Sequence, residues 1–321
     1  MFEIFEDFNS FHVSMLTYII LGSIIVVLNM PLLYLLIFIK QNRERKEFVL
    51  IAIICSVDLL YVVVNSYNSI SRLILGTSTN VVAKIECVLR PNLFISLVVI
   101  QLVSQMPLFV AIDRLFAVVY SIWYYKRGVC YSFFLCSLPM IGSVVTTIAN
   151  VISIYNGPEK ESQVMAVCFS SSLVASSFKP YFHGTKWACL ILATIVNVFV
   201  GIILHCNTKI KHQNTTKRLK NANMVIFSNT VNSLVFLMIP DMILAYPPKM
   251  DNFIYLQITM FSLIMSKIIF NIVLFLFFHK ELRTLYLNLF KRKLFYNGGR
   301  MSGVRIVPVP QQELKTSAHN A

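Results

Sequence analysis

The sequence predicts an all-α membrane protein, a bundle of seven transmembrane helices with a short amphipathic helix after the seventh. The first observation is composition: 57% of the 321 residues are hydrophobic and only 13% are charged, whereas about a quarter of a soluble domain is charged. The second is a set of seven long stretches with few charges, each with the roughly 20 residues that a helix needs to cross a bilayer. Hydrocarbon offers backbone amides no partner, so each stretch must pair them internally as a helix.

The predicted transmembrane helices lie, in order, at about 16–39, 48–70, 91–112, 129–154, 187–206, 221–245 and 253–278. The first is longer than the apolar core of a signal peptide and follows an acidic N-terminus, so we expect it to insert itself and remain in the membrane. Residues 279–295 place apolar and basic side chains on opposite faces, which predicts an amphipathic helix on the inner membrane surface. One domain is expected over 1–295, with a disordered tail at 296–321, where helical periodicity is lacking.

The basic residues set the expected orientation. Most of the 28 Lys and Arg lie in the connections after predicted helices 1, 3 and 5 and in the C-terminal region, and such segments face the cytosol. The N-terminus is thus predicted to be extracellular and the C-terminus cytosolic. The same bias, together with attraction to anionic lipid, accounts for the net charge of +14, so the lipid bilayer is an expected partner and nucleic acid is not.

The sequence contains seven cysteines, an odd number, so they cannot all form disulfides with one another. Their positions relative to the predicted helices divide them into two groups. Five lie within or at the ends of predicted helices, where a free thiol behaves as a small apolar group. Cys87, just before predicted helix 3, and Cys168, in the connection between helices 4 and 5, are the two placed in the oxidising exterior. A Cys87–Cys168 disulfide is therefore predicted to hold that connection over the mouth of the bundle. The alternative is two free thiols, which exposure would tend to oxidise.

Several polar residues lie inside the predicted helices. Asp58 in helix 2 and Lys267 in helix 7 are charged residues near mid-helix, and because an intramembrane charge is expensive and usually paired, we expect each to be the other's partner. Such a pair either acts as a switch or only fixes how the helices pack. Five asparagines are predicted to bridge helices, as packing contacts rather than ligand contacts: Asn29, Asn65, Asn197, Asn232 and Asn271. Asn29 and Asn271 are grouped with the charged pair as a candidate intramembrane polar switch. Pro240 removes a backbone donor within helix 6 and is predicted to kink it.

The stretch DRLFAVVYSIWY, which follows predicted helix 3, resembles the D-R-Y-x-x-I-x-x-P-L-x-Y signature of rhodopsin-like G-protein-coupled receptors. The residues that match it or replace it conservatively are Asp113, Arg114, Val118, Ile122 and Tyr124. Topology places the Asp-Arg pair at the cytosolic boundary of the helix, where we expect water to solvate both charges.

Further landmarks of the same superfamily are similar to segments elsewhere in the chain: Asn29, the SVDLL around Asp58, Cys87, and the NIVLF that begins at Asn271. More narrowly, IEC followed by IDRLFAV, together with AVCFSSSL, resembles the nematode serpentine chemoreceptors, and among them class SX. The chain departs from the general pattern at Met238, where most relatives have a tryptophan, and in lacking a proline in helix 5. The ligand rules of amine and peptide receptors are therefore not expected to apply.

The resemblance implies a receptor of the cell membrane that has a chemosensory role, which is compatible with a sensory cilium. It implies that a small ligand enters the extracellular half of the bundle and that helix 6 swings outward. A heterotrimeric G protein then docks against Arg114. It also implies that Lys267 lies where many relatives bind sodium beside Asp58, so its ammonium would replace that ion. Lys220 stands where some relatives carry an acid that restrains the arginine, which predicts basal activity.

Other classes remain alternatives. A small-solute transporter would be expected to carry internal repeats, which the sequence lacks, and a peptide-binding receptor is a second alternative. An opsin is disfavoured because Lys267 lies four residues before Asn271 rather than the six of the retinal lysine, which is about 200° away on a helix. An enzyme is disfavoured because the six histidines, His183 among them, lie in loops and termini rather than in a catalytic cluster. No cofactor or metal is predicted.

Overall fold

The computed structural model describes residues 2–39, 42, 45–75, 81–165, 168, 173–207, 213–246 and 253–295. Seven of its helices are long enough and apolar enough to cross a membrane. The predicted fold class, a seven-helix membrane bundle, is confirmed, and the chain is a multi-pass membrane protein. The side of the membrane that each end faces stays a prediction.

The membrane helices are labelled α1 to α7 and the helix after them α8. Their bounds are Phe2–Phe38 for α1, Lys46–Leu75 for α2, Pro91–Val119 for α3, Cys130–Asn156 for α4, Lys179–Asn207 for α5, Phe253–Phe278 for α7 and Lys280–Phe295 for α8. In α6, two α-helical segments, Gln213–Ser233 and Ile239–Ala245, are joined by a π-helical turn at Leu234–Met238.

Several helices are longer than their apolar stretches. α1 begins at Phe2, α3 continues to Val119, and α5 begins at Lys179. Hydropathy detects only the part of a helix that is suited to hydrocarbon, whereas the backbone hydrogen-bond ladder continues into polar sequence until a residue interrupts it. The longer α3 and α5 carry several polar residues into the bundle that the sequence placed at its edges.

The π-helical turn of α6 ends two residues before Pro240. Proline has no backbone N–H to donate to the carbonyl of Phe236 four residues earlier, and its ring crowds that carbonyl. A π turn widens the helix at this point and relieves the conflict. The predicted irregularity at Pro240 therefore takes the form of a local widening within a helix that continues to Ala245.

At one end of the bundle, which we call the disulfide end, two short strands pair antiparallel. They are β1 (Val81–Ala83) and β2 (Gln163–Met165). The predicted Cys87–Cys168 disulfide is confirmed. It joins a short helix that precedes α3, Lys84–Leu89, to the connection between α4 and α5, with a Cα–Cα distance of 5.8 Å. Its two cysteines lie in an apolar cluster with residues of α3 and α4, including Leu97 and Ile154.

The centre of the bundle is an apolar cluster to which six helices contribute. Its buried members include Ile25, Val62, Val103, Leu190, Leu237 and Ile268, from α1, α2, α3, α5, α6 and α7 in that order. α3 is the central helix, because 72% of its most apolar stretch is buried, compared with 28% for α5. Residues on α3 can therefore contact several helices at once.

Contacts divide the chain into two units, Met1–Tyr286 and Leu287–Ala321. The first contains α1 to α7 and the start of α8, where Leu282 is fully buried and the Tyr286 hydroxyl donates to the Leu28 carbonyl over 3.0 Å. Of the second, the structure describes the end of α8. The predicted tail 296–321 lies outside the described residues, and the division into a receptor domain at 1–295 and a tail stays a prediction.

Candidate functional site

Asp113 and Arg114 form a buried ion pair near the end of α3. The Arg114 Nη2 lies 3.0 Å from the Asp113 Oδ2, and the two side chains are 2% and 0% exposed. The expectation that water solvates this pair is wrong, because α3 continues past it to Val119 and neighbouring elements cover it. The end of the bundle that contains the pair is called the Arg114 end.

Tyr124 is one of the residues that cover the pair. It lies on a helical turn after α3, Ser121–Lys126, and its hydroxyl donates to the Asp113 Oδ2 over 3.1 Å. Lys46, at the start of α2, donates from Nζ to the Tyr124 carbonyl, and this ammonium lies 4.3 Å from the centre of the Tyr124 ring. Burial lowers the pKa of Lys46, while the negative charge of Asp113 opposes that change. The turn therefore connects the ion pair to α2.

The other two residues of the signature lie differently. Val118 is half-buried on the last turn of α3, and Ile122 is 75% exposed. The structure thus brings Asp113, Arg114 and Tyr124 together and leaves Ile122 as an apolar side chain on the outer surface. Whether these residues couple to a partner stays a prediction.

A small cavity of about 20 Å³ lies beside Arg114. The helices around it contribute Leu50, Ile54, Val110, Val225, Ile226 and Phe275. These residues come from α2, α3, α6 and α7, so the inner face of α6 lies next to the arginine. The sequence places Lys220 where some relatives carry an acid that restrains the arginine. The side chain of Lys220 lies outside the described side chains.

Asp58 and Lys267 are in contact deep in the bundle. The Lys267 Nζ lies 3.0 Å from the Asp58 Oδ1, and the Asn271 amide donates to the Asp58 Oδ2 over 2.9 Å. Asn232 on α6 continues the network, because its amide donates to the Asn271 Oδ1 over 2.7 Å and to the Lys267 carbonyl over 2.9 Å. One carboxylate thus connects α2 directly to α7 and, through Asn271, to α6.

Asn29 does not contact this carboxylate. Its amide donates to the Cys55 carbonyl over 3.0 Å, which ties α1 to α2 one turn before Asp58. A cavity of about 10 Å³, lined by Asp58, Lys267 and Asn229 among others, adjoins the network. That volume is about the size of one water molecule. A switching role for the network stays a prediction.

The connection between α4 and α5 is held to the disulfide end by polar contacts besides the disulfide. Lys84 donates to the Glu159 Oε2 over 2.5 Å and to the Val174 carbonyl over 3.0 Å. The backbone N–H of Ser176 donates to the Glu159 Oε1 over 2.9 Å. These hydrogen bonds, of which the one from Lys84 has the largest effect, lower the pKa of Glu159 from its ordinary 4.5 to about 2.

A cluster around Asp241 is absent from the sequence prediction. Three side chains of α5 contact its carboxylate: the Lys186 Nζ at 2.5 Å, the Trp187 Nε1 at 2.8 Å and the His183 Nδ1 at 3.1 Å. Asp241 lies within the apolar stretch 221–245, so the rule that selected Asp58 also applies to it. The expectation that His183 is a loop residue is wrong, because α5 begins at Lys179.

Two buried polar atoms lie in the same half of the bundle. The Gln101 amide nitrogen donates to the Phe182 carbonyl over 2.8 Å, while its oxygen finds no partner among the described residues. The Tyr61 hydroxyl is also unsatisfied within the described part of the chain. Both residues are at least 98% buried.

Seven membrane helices, a disulfide from just before α3 to the connection before α5, and an acidic-basic pair buried near the end of α3 define the class of seven-transmembrane receptors. A family model described as serpentine type 7TM GPCR chemoreceptor Srbc matches residues 8–281. The chain belongs to this family. The matched class is Srbc, whereas the sequence motifs indicated class SX. A search of curated proteins finds no significant match.

Proposed function

We propose that the protein is a G-protein-coupled chemoreceptor, which binds a small molecule in the disulfide-end half of the bundle and activates a heterotrimeric G protein at the Arg114 end. The observation that carries the proposal is the buried Arg114, held by Asp113 beside the inner face of α6. Burying an arginine to 2% exposure in an apolar bundle costs stability, and residues buried at such a cost are usually functional.

The proposed activation moves α6 away from Arg114. The cavity beside Arg114 holds about 20 Å³, which is too small for any segment of a partner protein, so docking requires the helices around it to separate. The irregular turn Leu234–Met238 and Pro240 lie between the Arg114 end and the Asp241 cluster and supply a place where α6 can bend. A ligand that favours the open state by about 5.5 kcal/mol would raise its population from 1% to 99%.

The disulfide-end half of the bundle supports ligand binding there. Its buried amide oxygen and phenol, on Gln101 and Tyr61, could each bind a polar atom of a small molecule. The central apolar cluster, which includes Leu237 and Ile268, could pack against its carbon atoms. This combination of apolar walls and a few polar groups is typical of small-molecule sites. We infer that this end is extracellular and that the C-terminus is cytosolic.

A ligand-library screen tests the proposal. Cells that express the receptor are exposed to small molecules, and G-protein activation is recorded by energy transfer between labelled subunits. Arg114→Ala should abolish a response that the wild type gives, at equal surface expression. Arg127→Ala, which removes an exposed guanidinium just beyond the same end of α3, is the matched control and should respond normally. A full response from Arg114→Ala, or ligand-dependent solute uptake without G-protein activation, would contradict the proposal.

A further inference from the structure

Lys46, the first residue of α2, contacts Tyr124 at two points. Its Nζ donates to the Tyr124 carbonyl and lies 4.3 Å from the centre of the Tyr124 ring. A lysine ammonium has three donors, so one can point at the carbonyl while the positive charge faces the ring, to which it is attracted. Lys46 therefore holds both the backbone and the ring of Tyr124.

The Tyr124 carbonyl lies in the last turn of a very short helix. Ser121–Lys126 has six residues, and a helix of that length is not stable in water by itself. The carbonyls of a last turn lack full helical partners, and the Arg127 N–H donates to this one over 3.3 Å. A lysine that donates to such a carbonyl stabilises the helix end, where the dipole favours a cation.

Packing alone holds this turn weakly. Ile122 and Trp123 are 75% and 42% exposed, whereas Tyr124 is 4% exposed. Tyr124 is thus the side chain through which this part of the turn is anchored to the bundle. The contacts that Lys46 makes with it therefore bear directly on where the turn lies.

The start of α2 is a firm support for these contacts. Phe48 and Leu50 are 2% and 1% exposed, and the Phe48 ring contacts the His279 ring at the junction of α7 and α8, with 5.6 Å between centroids. A cation at the first position of a helix is disfavoured by the helix dipole. The charge of Lys46 therefore stabilises a neighbouring element rather than α2 itself.

The position of the turn decides whether Tyr124 reaches the ion pair. The Tyr124 hydroxyl donates to the Asp113 Oδ2 over 3.1 Å, and the same oxygen lies 3.0 Å from the Arg114 Nη2. Hydrogen bonds weaken steeply when their atoms move out of line. A small displacement of the turn would therefore remove the contact between Tyr124 and Asp113.

We propose that Lys46 is a positioning residue of the receptor, which holds the turn Ser121–Lys126 so that the Tyr124 hydroxyl stays on Asp113 and Arg114 keeps its resting place. The effect of Lys46 on signalling rests on the proposed function, whereas its effect on the turn does not. Lys46 acts through Tyr124, and any direct effect of its charge on Asp113 is secondary.

Basal G-protein activation at equal surface expression tests the signalling role. Lys46→Met should raise it about two- to fivefold, the change in an equilibrium that a surface cation–π contact corresponds to. Lys46→Arg keeps a cation and donors and should restore the wild-type signal. Lys126→Met, which removes an exposed ammonium from the same turn, is the matched control and should leave it unchanged. A rise in Lys46→Arg as large as in Lys46→Met would overturn the proposal.

A double variant separates the route through Tyr124 from a direct effect of charge. In Tyr124→Phe the hydroxyl contact with Asp113 is already absent, so adding Lys46→Met should raise the basal signal no further. An additional rise equal to that of Lys46→Met alone would contradict a role through Tyr124. If Lys46→Met does not reach the cell surface, Lys46→Gln replaces it, because it keeps a donor for the carbonyl but loses the charge over the ring.

Hydrogen–deuterium exchange tests the position of the turn without any G protein. In purified full-length protein, Lys46→Met should speed exchange of the amides of residues 121–126 about threefold or more, as expected for loss of the same contact, and Lys46→Arg should match the wild type. Unchanged exchange in Lys46→Met would overturn the proposal. Faster exchange in a protein that activates no G protein would confirm that Lys46 holds the turn, and would count only against the proposed receptor function.

Discussion

Lys267 on α7 and Asp58 on α2 form a buried ion pair with an N–O distance of 3.0 Å, and each side chain is 3% exposed. The two residues are 209 positions apart in the sequence, so the contact is made only when the bundle is assembled. Each charge removes the need for water around the other, and the Asn271 amide satisfies the second carboxylate oxygen. The burial of each charge therefore depends on the presence of the other.

Removing one member of this pair should destabilise the protein more than removing both. Lys267→Met leaves a buried carboxylate without its cation, and we expect the free energy of unfolding to fall by about 3–5 kcal/mol. Adding Asp58→Asn removes the uncompensated charge and should recover most of that loss. The measurement is the melting temperature of detergent-purified protein for both single variants and the double variant. A double variant less stable than either single variant would show that the charges do not depend on each other.

Sodium should not affect ligand responses of the wild type. The ammonium of Lys267 already neutralises Asp58, so a sodium ion gains little by entering the adjoining cavity of about 10 Å³. Lys267→Asn removes the positive charge and frees the carboxylate, and this variant should respond differently when sodium is replaced by choline. The measurement is G-protein activation at constant ionic strength. A wild-type response that changes with sodium would contradict the prediction.

Tyr124→Phe should raise the signal without ligand. The Tyr124 hydroxyl donates to Asp113 over 3.1 Å, and a hydrogen bond to a charged group contributes about 1.5–3 kcal/mol. If only the resting state makes this contact, its loss should raise the open population about tenfold or more, as long as that state is rare. Tyr131→Phe is the matched control, because the Tyr131 hydroxyl has no partner among the described residues. Basal G-protein activation is measured for both variants at equal surface expression. Equal basal signals from the two variants would show that the Tyr124–Asp113 hydrogen bond does not stabilise the resting state.

Acid should weaken the attachment of the connection before α5. The pKa of Glu159 is about 2 in the folded protein and 4.5 ordinarily, so the unfolded chain takes up a proton more readily. The stabilisation is therefore complete above pH 4.5 and is lost as the pH falls towards 2. Glu159→Gln should make the melting temperature less dependent on pH in this window, while Glu161→Gln, which changes an exposed neighbour, should follow the wild type. Identical pH profiles for all three proteins would contradict the role of Glu159.

The fold was predictable because the membrane leaves the chain few choices. A long apolar segment must be a helix, and the seven stretches read from hydropathy correspond to α1 to α7. The disulfide was predictable because topology leaves only Cys87 and Cys168 in an oxidising environment. In both cases one physical requirement removes the alternatives, so no knowledge of packing is needed.

The surroundings of the charged residues were not predictable in the same way. The apolar stretch of α3 ends just before Asp113, so hydropathy does not predict that this residue is buried. Its burial depends on Tyr124, which lies on a turn beyond α3 and donates a hydrogen bond to it. His183 lies outside the apolar part of α5 and meets Asp241 only because α5 begins at Lys179, before its apolar segment. Asp241 itself carried a usable signal, a charge inside an apolar stretch. The sequence contains no comparable signal for the three residues that contact Asp241, since these contacts depend on how α5 and α6 face each other.

The π-helical turn at Leu234–Met238 has a consequence for the angular register of α6. A π turn contains one residue more than an α turn, and one residue corresponds to about 100° of rotation around a helix axis. Deleting a single residue within the turn would restore a regular α-helix, keeping Asn232 on Asn271 while turning Asp241 about 100° away from Lys186. The inserted residue therefore sets the angular register that lets one helix bind Asn271 before the turn and Lys186 after it.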